Sequence, residues 1–194
     1  MSRFDLFEPI IKDLSIKNTK SIFVEIGTDK GDFAEFLLTK SSCSKLICID
    51  PYLKYEGYID AMNERTGDVL FDQTKSRFAK YENRIVFIRK FSYSASNEVT
   101  DQVDFVYVDG NHSYKYVFQD LLTWYPKIKS GGILAGDDIY DFDDSLRNKE
   151  GDVHIEWGPG NYGDYGVLKA LRDFKQITGV DYEIFKNQFI IRKI

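Results

Sequence analysis

The chain has 194 residues, of which 43% are hydrophobic and 29% are charged, and its formal net charge is −5. This balance predicts one globular domain over residues 1–194, and the acidic charge argues against nonspecific binding to nucleic acid, which depends on Lys and Arg. No apolar stretch approaches membrane-spanning length and the N-terminus lacks a signal-peptide pattern, so we expect a cytoplasmic protein without membrane contacts.

The first element is a predicted amphipathic helix over residues 3–15, within an N-terminal helical arm of residues 1–20. Its apolar residues recur at helical spacing: Phe4, Phe7, Ile11 and Leu14. We expect this apolar face to pack against the sheet that the following strands form.

A predicted strand at 21–26 leads through a glycine turn into a helix. Glu25 precedes Gly27 and Gly31 in the pattern Glu-x-Gly-x-x-x-Gly, and Asp32 is predicted to cap the helix. Two glycines four apart let the backbone turn sharply and approach a ligand closely. The spacing differs from the Gly-x-Gly-x-x-Gly of dinucleotide-binding proteins, and a carboxylate before the turn repels a pyrophosphate. The turn therefore favours a cationic or hydroxyl-rich ligand.

The next two predicted strands, at 45–50 and 84–89, are each followed by a polar side chain, with a helix over 68–80 between them. Asp50 ends the first strand, and an acid roughly 20 positions beyond a glycine turn can accept hydrogen bonds from ribose hydroxyls. Its alternative role is to cap a turn. Ser92 follows the second strand, where it can reach the base of a ligand or cap a short helix.

The fourth predicted strand, 103–108, is apolar on both faces and stops at Asp109. A carboxylate at the end of a buried strand is costly unless it is paired, hydrogen-bonded or bound to a metal, and this edge is where ligands bind in open α/β sheets. Asp109 is therefore a candidate for chemistry, with His112 one short turn beyond it. The alternative is that Asp109 caps the next helix and His112 is a surface loop residue.

A predicted helix over 113–128 is closed by the glycine pair at 131–132, and a fifth strand at 133–136 follows. Asp137 and Asp138 end that strand. They place a pair of carboxyl groups at the carboxyl end of this strand, as Asp109 places one at the end of the fourth.

Residues 139–163 are rich in Asp, Gly and Asn, which predicts a long, partly ordered loop that contacts the substrate. Asp141, Asp143 and Asp144 are interpreted as a solvated acidic face. His154 lies in the same loop and receives no role.

A helix at 165–178 and two strands at 182–185 and 188–192 complete the chain. The two-residue joint Lys186-Asn187 predicts that the two strands form an antiparallel hairpin. Five strands alternating with helices, followed by a hairpin, predict an α/β fold. We expect a Rossmann-like, doubly wound, mostly parallel seven-stranded sheet with a C-terminal antiparallel hairpin.

The Glu-x-Gly-x-x-x-Gly turn, Asp50 and the closing hairpin together resemble the class I S-adenosylmethionine-dependent methyltransferases, from about Ser21 to the end of the chain. Three segments are similar to the macrocin-type sugar O-methyltransferases: Val-Asp-Gly-Asn-His-Ser-Tyr at 108–114, Gly-Gly-Ile-Leu-Ala-Gly-Asp-Asp at 131–138 and Tyr-Gly-Val-Leu-Lys-Ala-Leu at 165–171.

The resemblance implies an enzyme that transfers a methyl group from S-adenosylmethionine to a hydroxyl. The implied cofactor contacts, from the methionine portion to the adenosine, are Glu25, Gly27, Gly31, Asp50, Tyr52 and Ser92. A divalent cation, usually magnesium, is the second implied cofactor, because a cation bound to a hydroxyl lowers its pKa. Its implied ligands are Asp109, Asp137 and Asp138. The general base is His112 or Asp109, a choice that the sequence leaves open.

The expected partner is a small hydroxyl-bearing acceptor. The resemblance implies a sugar or a nucleotide sugar, while a catechol-like diol or another small metabolite stays open. The sequence also leaves the oligomeric state open, and a homo-oligomer is one of the alternatives. Two other functions compete: a nicotinamide-dependent oxidoreductase on a related sheet, disfavoured by the glycine spacing, and a non-catalytic cofactor-binding scaffold.

Overall fold

The computed structural model of the protein describes residues 2–55, 67–158 and 161–194. The helices are α1 Arg3–Lys17, α2 Asp32–Lys40, α3 Asp68–Arg77, α4 Ser92–Ala95, α5 Tyr114–Trp124 and α6 Val167–Thr178. The strands are β1 Ile22–Ile26, β2 Lys45–Ile49, β3 Ile85–Ile88, β4 Val103–Val108, β5 Ile128–Gly136, β6 Val153–Gly158, β7 Asn161–Tyr165, β8 Glu183–Phe185 and β9 Gln188–Arg192. None of the helices in the described ranges is both long enough and apolar enough to cross a membrane.

Seven strands form the central sheet, in the order β3-β2-β1-β4-β5-β9-β8. Strands β1 to β5 are parallel, whereas β9 runs antiparallel to β5 and pairs with β8 in the C-terminal hairpin. The predicted Rossmann-like α/β fold is confirmed. The strand order reverses between β1 and β4, and such a switch point leaves a crevice at the carboxyl ends of the strands.

The register of the four central strands is aligned at their carboxyl ends. Ile26 of β1 pairs with both Ile49 of β2 and Val108 of β4, and Val108 pairs with Gly136 of β5. The next residue of each strand therefore lies in one row along the sheet edge. That row consists of Gly27, Asp50, Asp109 and Asp137.

Helices cover both faces of the sheet and form two buried clusters. One cluster joins α4, α5 and α6 to the sheet around Trp124 and Phe174. The other joins α1 and α2 to the opposite face, where the rings of Phe33 and Tyr107 stack 4.0 Å apart. Helix α1 buries Phe7 and other apolar residues as its spacing predicts, and a capping box between Ser2 and Asp5 fixes its first turn.

The helix predicted over 113–128 is shorter in the structure. Helix α5 ends at Trp124, a 3₁₀ turn spans Tyr125–Lys127, and β5 already begins at Ile128. The glycine pair lies inside β5, where its pairing with β4 shifts register, instead of ending a helix. A Cβ on Gly132 would lie 2.9 Å from the carbonyl oxygen of Asp104, so close backbone approach explains that glycine.

The loop predicted over 139–163 contains more regular structure than its composition indicates. Strands β6 and β7 form an antiparallel hairpin in which Val153 pairs with Tyr165, while residues 159 and 160 lie outside the described ranges. The acidic face is exposed as predicted, but Arg172 pairs with Asp141 at 3.2 Å and with Asp144 at 3.3 Å. The alternation of apolar and polar side chains in Val-His-Ile-Glu, at the start of β6, is the local pattern that indicates a strand.

The predicted cap of α2 is wrong by one residue. Gly31 is the N-cap residue, in the left-handed conformation with φ of 81°, and Asp32 is the first helical residue. A Cβ at Gly31 would lie 2.5 Å from the ring of Phe78, so the tight packing of this turn selects glycine over a side-chain cap. The Asp32 carboxylate instead accepts a hydrogen bond from Arg77 at 2.7 Å.

Candidate active site

A cavity of about 370 Å³ opens at the carboxyl edge of the sheet, over the switch point between β1 and β4. Its walls come from the glycine turn, the ends of β2 and β4, the segment after β3, and α5. All of the site residues predicted from the sequence line this cavity except Gly31 and Asp137. The aligned register of the strands explains the convergence, because these residues lie at or just beyond the ends of strands that stop at the same edge.

Gly27 lets the turn after β1 press against the loop after β4. Its φ is +86°, and a Cβ there would lie 2.0 Å from the carbonyl oxygen of Asp109. No side chain fits this position without moving backbone. The two strand ends therefore meet at the cavity, which both Gly27 and Asp109 line. Gly31, by contrast, shapes the turn from outside the cavity.

Glu25 is a buried carboxyl group that faces the cavity. The residue is 2% exposed, and its Oε2 has no hydrogen-bond partner among the described residues. Burial raises the pKa of Glu25 well above its usual value, and the nearby charge of Asp109 adds to the effect. A buried carboxyl group without a partner is stabilised by a cation. This arrangement fits a ligand that brings a positive charge into the cavity.

Asp50 is held rigidly beside the glycine turn. Its Oδ2 accepts a hydrogen bond from the backbone N–H of Asp29 at 3.0 Å, and its Oδ1 accepts one from the N–H of Tyr52 at 2.7 Å. Burial raises the pKa of Asp50, and these backbone hydrogen bonds oppose that shift. A carboxylate has about four acceptor positions, so Asp50 can still accept hydrogen bonds from a ligand.

Tyr52 and Ser92 line the cavity, but other residues engage their hydroxyl groups. The hydroxyl of Tyr52 donates to the carbonyl oxygen of Asp29 at 2.8 Å, so the side chain braces the glycine turn. The hydroxyl of Ser92, at the first position of α4, accepts a hydrogen bond from Trp124 Nε1 at 2.7 Å. Both residues therefore serve as walls of the cavity.

Asp120 is a site residue that the sequence reasoning missed. It lies on α5, lines the cavity and is 6% exposed. Burial raises the pKa of Asp120 to about 7, and a hydrogen bond with Ser92 opposes that shift. The signal in the sequence was an acidic residue on the apolar stripe that Val117, Leu121 and Trp124 define.

At the other end of the cavity, His112 lies between two carboxyl groups. Its Nε2 is 3.5 Å from Asp109 Oδ1, and its Nδ1 is 3.4 Å from Asp138 Oδ2. Burial works against the charged imidazole, but the contact with Asp109 and the charge of Asp138 outweigh it and raise the pKa of His112 to about 9. Its ring stacks on Tyr165 with centroids 6.1 Å apart.

Arg3 is the second residue that the sequence reasoning missed. Its Nη1 donates to Asp109 Oδ2 at 2.7 Å and to Asp137 Oδ2 at 3.0 Å. Its guanidinium also lies over the ring of Phe33, 5.4 Å from the centroid. Partial burial works against its charge, but Asp109, Tyr107 and Asp137 outweigh that effect and raise the pKa of Arg3. The sequence carries no local signal for this contact, because Arg3 lies far from both of its partners along the chain.

Asp137 is embedded in a hydrogen-bond network behind the cavity. Its Oδ1 accepts hydrogen bonds from Asn187 Nδ2 at 2.8 Å, from the backbone N–H of Asp138 at 2.7 Å, and from Gln188. The hydroxyl of Tyr107 donates to Gln188 Oε1 at 2.6 Å. Within the described ranges, no group of three or more His, Cys, Asp or Glu side chains is arranged to hold a metal ion.

The fold and the cavity define the class of protein: a Rossmann-like α/β protein with a cofactor-sized pocket at its topological switch point. Residues 24–139 match a family model described as a methyltransferase domain. Because this match spans more than half of the chain, the protein belongs to that family of methyltransferase domains.

One curated relative is an uncharacterised protein, R132, of Acanthamoeba polyphaga mimivirus. It is 25% identical over 125 residues, a match that covers 62% of this chain and 52% of the relative. The chain therefore spans about half the length of that relative.

Solved structures with the same fold include several methyltransferases. The O-methyltransferase NovP has a TM-score of 0.64 at 15% identity, with 98% of this chain and 79% of that chain covered. SMU.1697c from Streptococcus mutans, solved in complex with SAH, has a TM-score of 0.59 at 11% identity, with coverage of 99% and 96%. An rRNA methylase from Streptococcus thermophilus has a TM-score of 0.56 at 12% identity, with coverage of 99% and 94%. At these identities the likeness shows the fold.

Proposed function

We propose that this protein transfers a methyl group from S-adenosylmethionine to a hydroxyl of a small acceptor. The observation that carries the proposal is the buried, unpartnered carboxyl oxygen of Glu25 in the switch-point cavity, one strand away from Asp50. Membership of the methyltransferase domain family supports the same reaction class.

The residues present fit this cofactor. Glu25 matches a cationic ammonium group, and the glycine turn at Gly27 leaves room for the methionine portion. Asp50 would accept hydrogen bonds from the ribose hydroxyls, and Ser92 and Asp120, which line the same cavity, would contact the base. When bound, S-adenosylmethionine supplies an activated methyl group on a positively charged sulfur.

The Asp109–His112 pair is the proposed acceptor of the hydroxyl proton in the form in which His112 is neutral, a form that increases as pH rises toward the raised pKa of His112 of about 9. Removal of that proton makes the acceptor oxygen nucleophilic toward the methyl group that the bound cofactor would supply, with the sulfur as the leaving group. We assign the proton to the pair because His112 Nε2 lies 3.5 Å from Asp109 Oδ1. Asp138, 3.4 Å from the other ring nitrogen, holds the imidazole in place.

The resemblance to the macrocin-type enzymes also implies a magnesium ion bound by Asp109, Asp137 and Asp138. These residues do not fit the ion as they are arranged. Arg3 bonds two of the three carboxylates, and further hydrogen bonds hold Asp137. The steps above therefore use groups of the chain alone, and the magnesium ion stays a prediction that the metal titration described below tests.

A sugar, free or as a nucleotide sugar, is the proposed acceptor, and residues 139–163 are the proposed substrate loop. Tyr140 of this loop packs against Tyr165 at 5.2 Å, and Tyr165 stacks on His112. Aromatic faces beside a proton acceptor suit the apolar face of a sugar ring or a catechol-like diol. The net charge of −5 favours such a small acceptor over an RNA substrate.

Isothermal titration of the purified chain tests the cofactor assignment. We expect S-adenosylmethionine to bind and NAD not to bind. The variant Glu25→Gln should bind S-adenosylmethionine about 10- to 100-fold more weakly, because the amide cannot pair with an ammonium group. The matched control is Glu35→Gln on α2, where Glu35 pairs with Arg77 at 2.6 Å, and it should bind as the parent chain does.

Binding of NAD without S-adenosylmethionine would support the oxidoreductase instead. Binding of S-adenosylmethionine with no methyl transfer to any sugar or diol in a panel of acceptors would support the scaffold.

A further inference from the structure

We infer that Arg3 supplies the fixed positive charge at the acceptor end of the cavity, in place of the divalent cation that the carboxylates Asp109, Asp137 and Asp138 would otherwise bind. The inference rests on the proposed function for its chemical consequence. It makes Arg3 a positioning residue that acts through Asp109, and it makes methyl transfer independent of added metal.

The first observation is the geometry of the contact. A single guanidinium nitrogen, Nη1, lies 2.7 Å from an oxygen of Asp109 and 3.0 Å from an oxygen of Asp137. It therefore lies between carboxyl groups at the ends of the two neighbouring strands β4 and β5. A cation that bridged the same two oxygens would compete with Arg3 for that position, and the two positive charges would repel each other.

The second observation is that the first turns of α1 and the ring of Phe33 fix the position of Arg3. The capping box places the hydroxyl of Ser2 3.2 Å from the backbone N–H of Asp5, and the Asp5 carboxylate 2.8 Å from the N–H of Ser2. One turn later, Phe7 is fully buried and packs edge-on against Tyr107 at 5.3 Å. The guanidinium itself lies over the ring of Phe33, a cation–π contact that adds to the ion pairs.

The third observation is that the charge faces the cavity. Arg3 lines the cavity together with Asp109, His112 and Asp138, and its side chain is 28% exposed. A guanidinium keeps its charge at any working pH and has five N–H donors in a fixed fork. It can therefore hold Asp109 in the orientation that meets the acceptor hydroxyl without a metal that must be acquired from solution.

The test compares the full chain with Arg3→Met and Arg3→Lys, by titration with Mn²⁺ followed by electron paramagnetic resonance. Arg172→Met is the matched control, because Arg172 also bridges two carboxylates but lies on the exposed surface. We expect the parent chain and the control to bind no stoichiometric Mn²⁺. Arg3→Met should gain a Mn²⁺ site, since its carboxylates lose their cation.

Kinetics give the second readout. Arg3→Met should lower kcat by about 100-fold in the presence of EDTA, with the affinity for S-adenosylmethionine unchanged, because the charge acts on the acceptor side. Arg3→Lys should recover part of that loss, which a merely structural role for the side chain would not predict. EDTA should leave the parent chain and Arg172→Met at their original rates.

Stoichiometric Mn²⁺ binding by the parent chain, with activity that EDTA abolishes, would overturn the inference, and so would a parental kcat in Arg3→Met. Circular dichroism checks that each variant is folded. Failure of the parent chain to bind S-adenosylmethionine would refute the proposed function. The Mn²⁺ titration does not require methyl transfer, so it would still show whether Arg3 excludes the metal.

Discussion

At the scale of single residues, the cavity gathers acidic groups whose surroundings differ. Glu25 is buried with one carboxyl oxygen unpartnered among the described residues, Asp50 is held by backbone N–H groups, and Asp109 is paired with Arg3 and His112. These differences assign different tasks to chemically similar side chains. A carboxyl group without a partner awaits a ligand cation, whereas a paired one is already oriented for chemistry.

Replacing His112 by Asn should separate chemistry from cofactor binding. Asn has a polar side chain of similar length, but its amide neither accepts a proton nor carries a charge at this position. We expect kcat to fall by about 100- to 10,000-fold, with the Kd for S-adenosylmethionine unchanged. Partial recovery with added imidazole would identify the ring as the missing group. A variant with parental kcat would remove His112 from the proposed chemistry.

Asp120 should make stability depend on pH. Burial raises its pKa in the folded chain to about 7, above the ordinary value of 3.8, so the unfolded chain loses this proton at lower pH. The free energy of unfolding should therefore decrease as pH rises from about 4 to 7, by at most about 4 kcal/mol, and this contribution should stay constant above pH 7.

The variant Asp120→Asn should lose this part of the pH dependence, because the amide does not titrate. Urea unfolding at pH 5 and pH 8 measures it, and the exposed Asp101→Asn serves as control. Among the described neighbours, the hydrogen bond with Ser92 opposes the shift of Asp120, and burial, with a smaller contribution from the charge of Asp120, raises the pKa of Tyr55. Equal pH dependence in Asp120→Asn and the parent chain would contradict the assignment.

At the scale of elements, the turn between β1 and α2 decides whether the cavity forms. Gly27 and Gly179 both have positive φ, +86° and +73°, but a Cβ at Gly27 would lie 2.0 Å from Asp109 O, whereas a Cβ at Gly179 would meet nothing within 4 Å. Gly179→Ala should cost about 1 kcal/mol, for backbone strain alone.

Gly27→Ala should cost at least about 3 kcal/mol and should abolish cofactor binding, because backbone must move at the centre of the sheet edge. Urea denaturation and cofactor titration measure both effects. Equal losses of stability in the two variants would show that the close approach to Asp109 does not matter.

Element boundaries show where local patterns were sufficient. Helices α1 and α6 and the hairpin of β8 and β9 follow closely from periodicity and from the two-residue turn, since those signals are local. The end of α5 and the hairpin of β6 and β7 did not follow. In both cases glycines suggested a stop or a loop, whereas sheet pairing determined the conformation.

At the scale of the whole molecule, the central sheet supplies one edge, and distant segments complete the site there. Strand register aligns the ends of β1, β2, β4 and β5, so the carboxyl groups predicted one by one, apart from Asp137, line a single cavity. The C-terminal hairpin then brings Asn187 and Gln188 to Asp137, and the N-terminal helix brings Arg3 to Asp109. These two additions place hydrogen bonds and ion pairs on carboxyl groups that the sequence predicts as metal ligands.

The sequence by itself determined the strand and helix order, the glycine turn and the acidic residues at the strand ends, because hydrophobic period and turn chemistry act over a few residues. Only the tertiary structure decided which partner each of these acids has. Arg3 and Asp109 are 106 positions apart, and the contact exists because the buried face of α1 docks on the sheet. Such a contact depends on the packing of elements that no local pattern relates to each other.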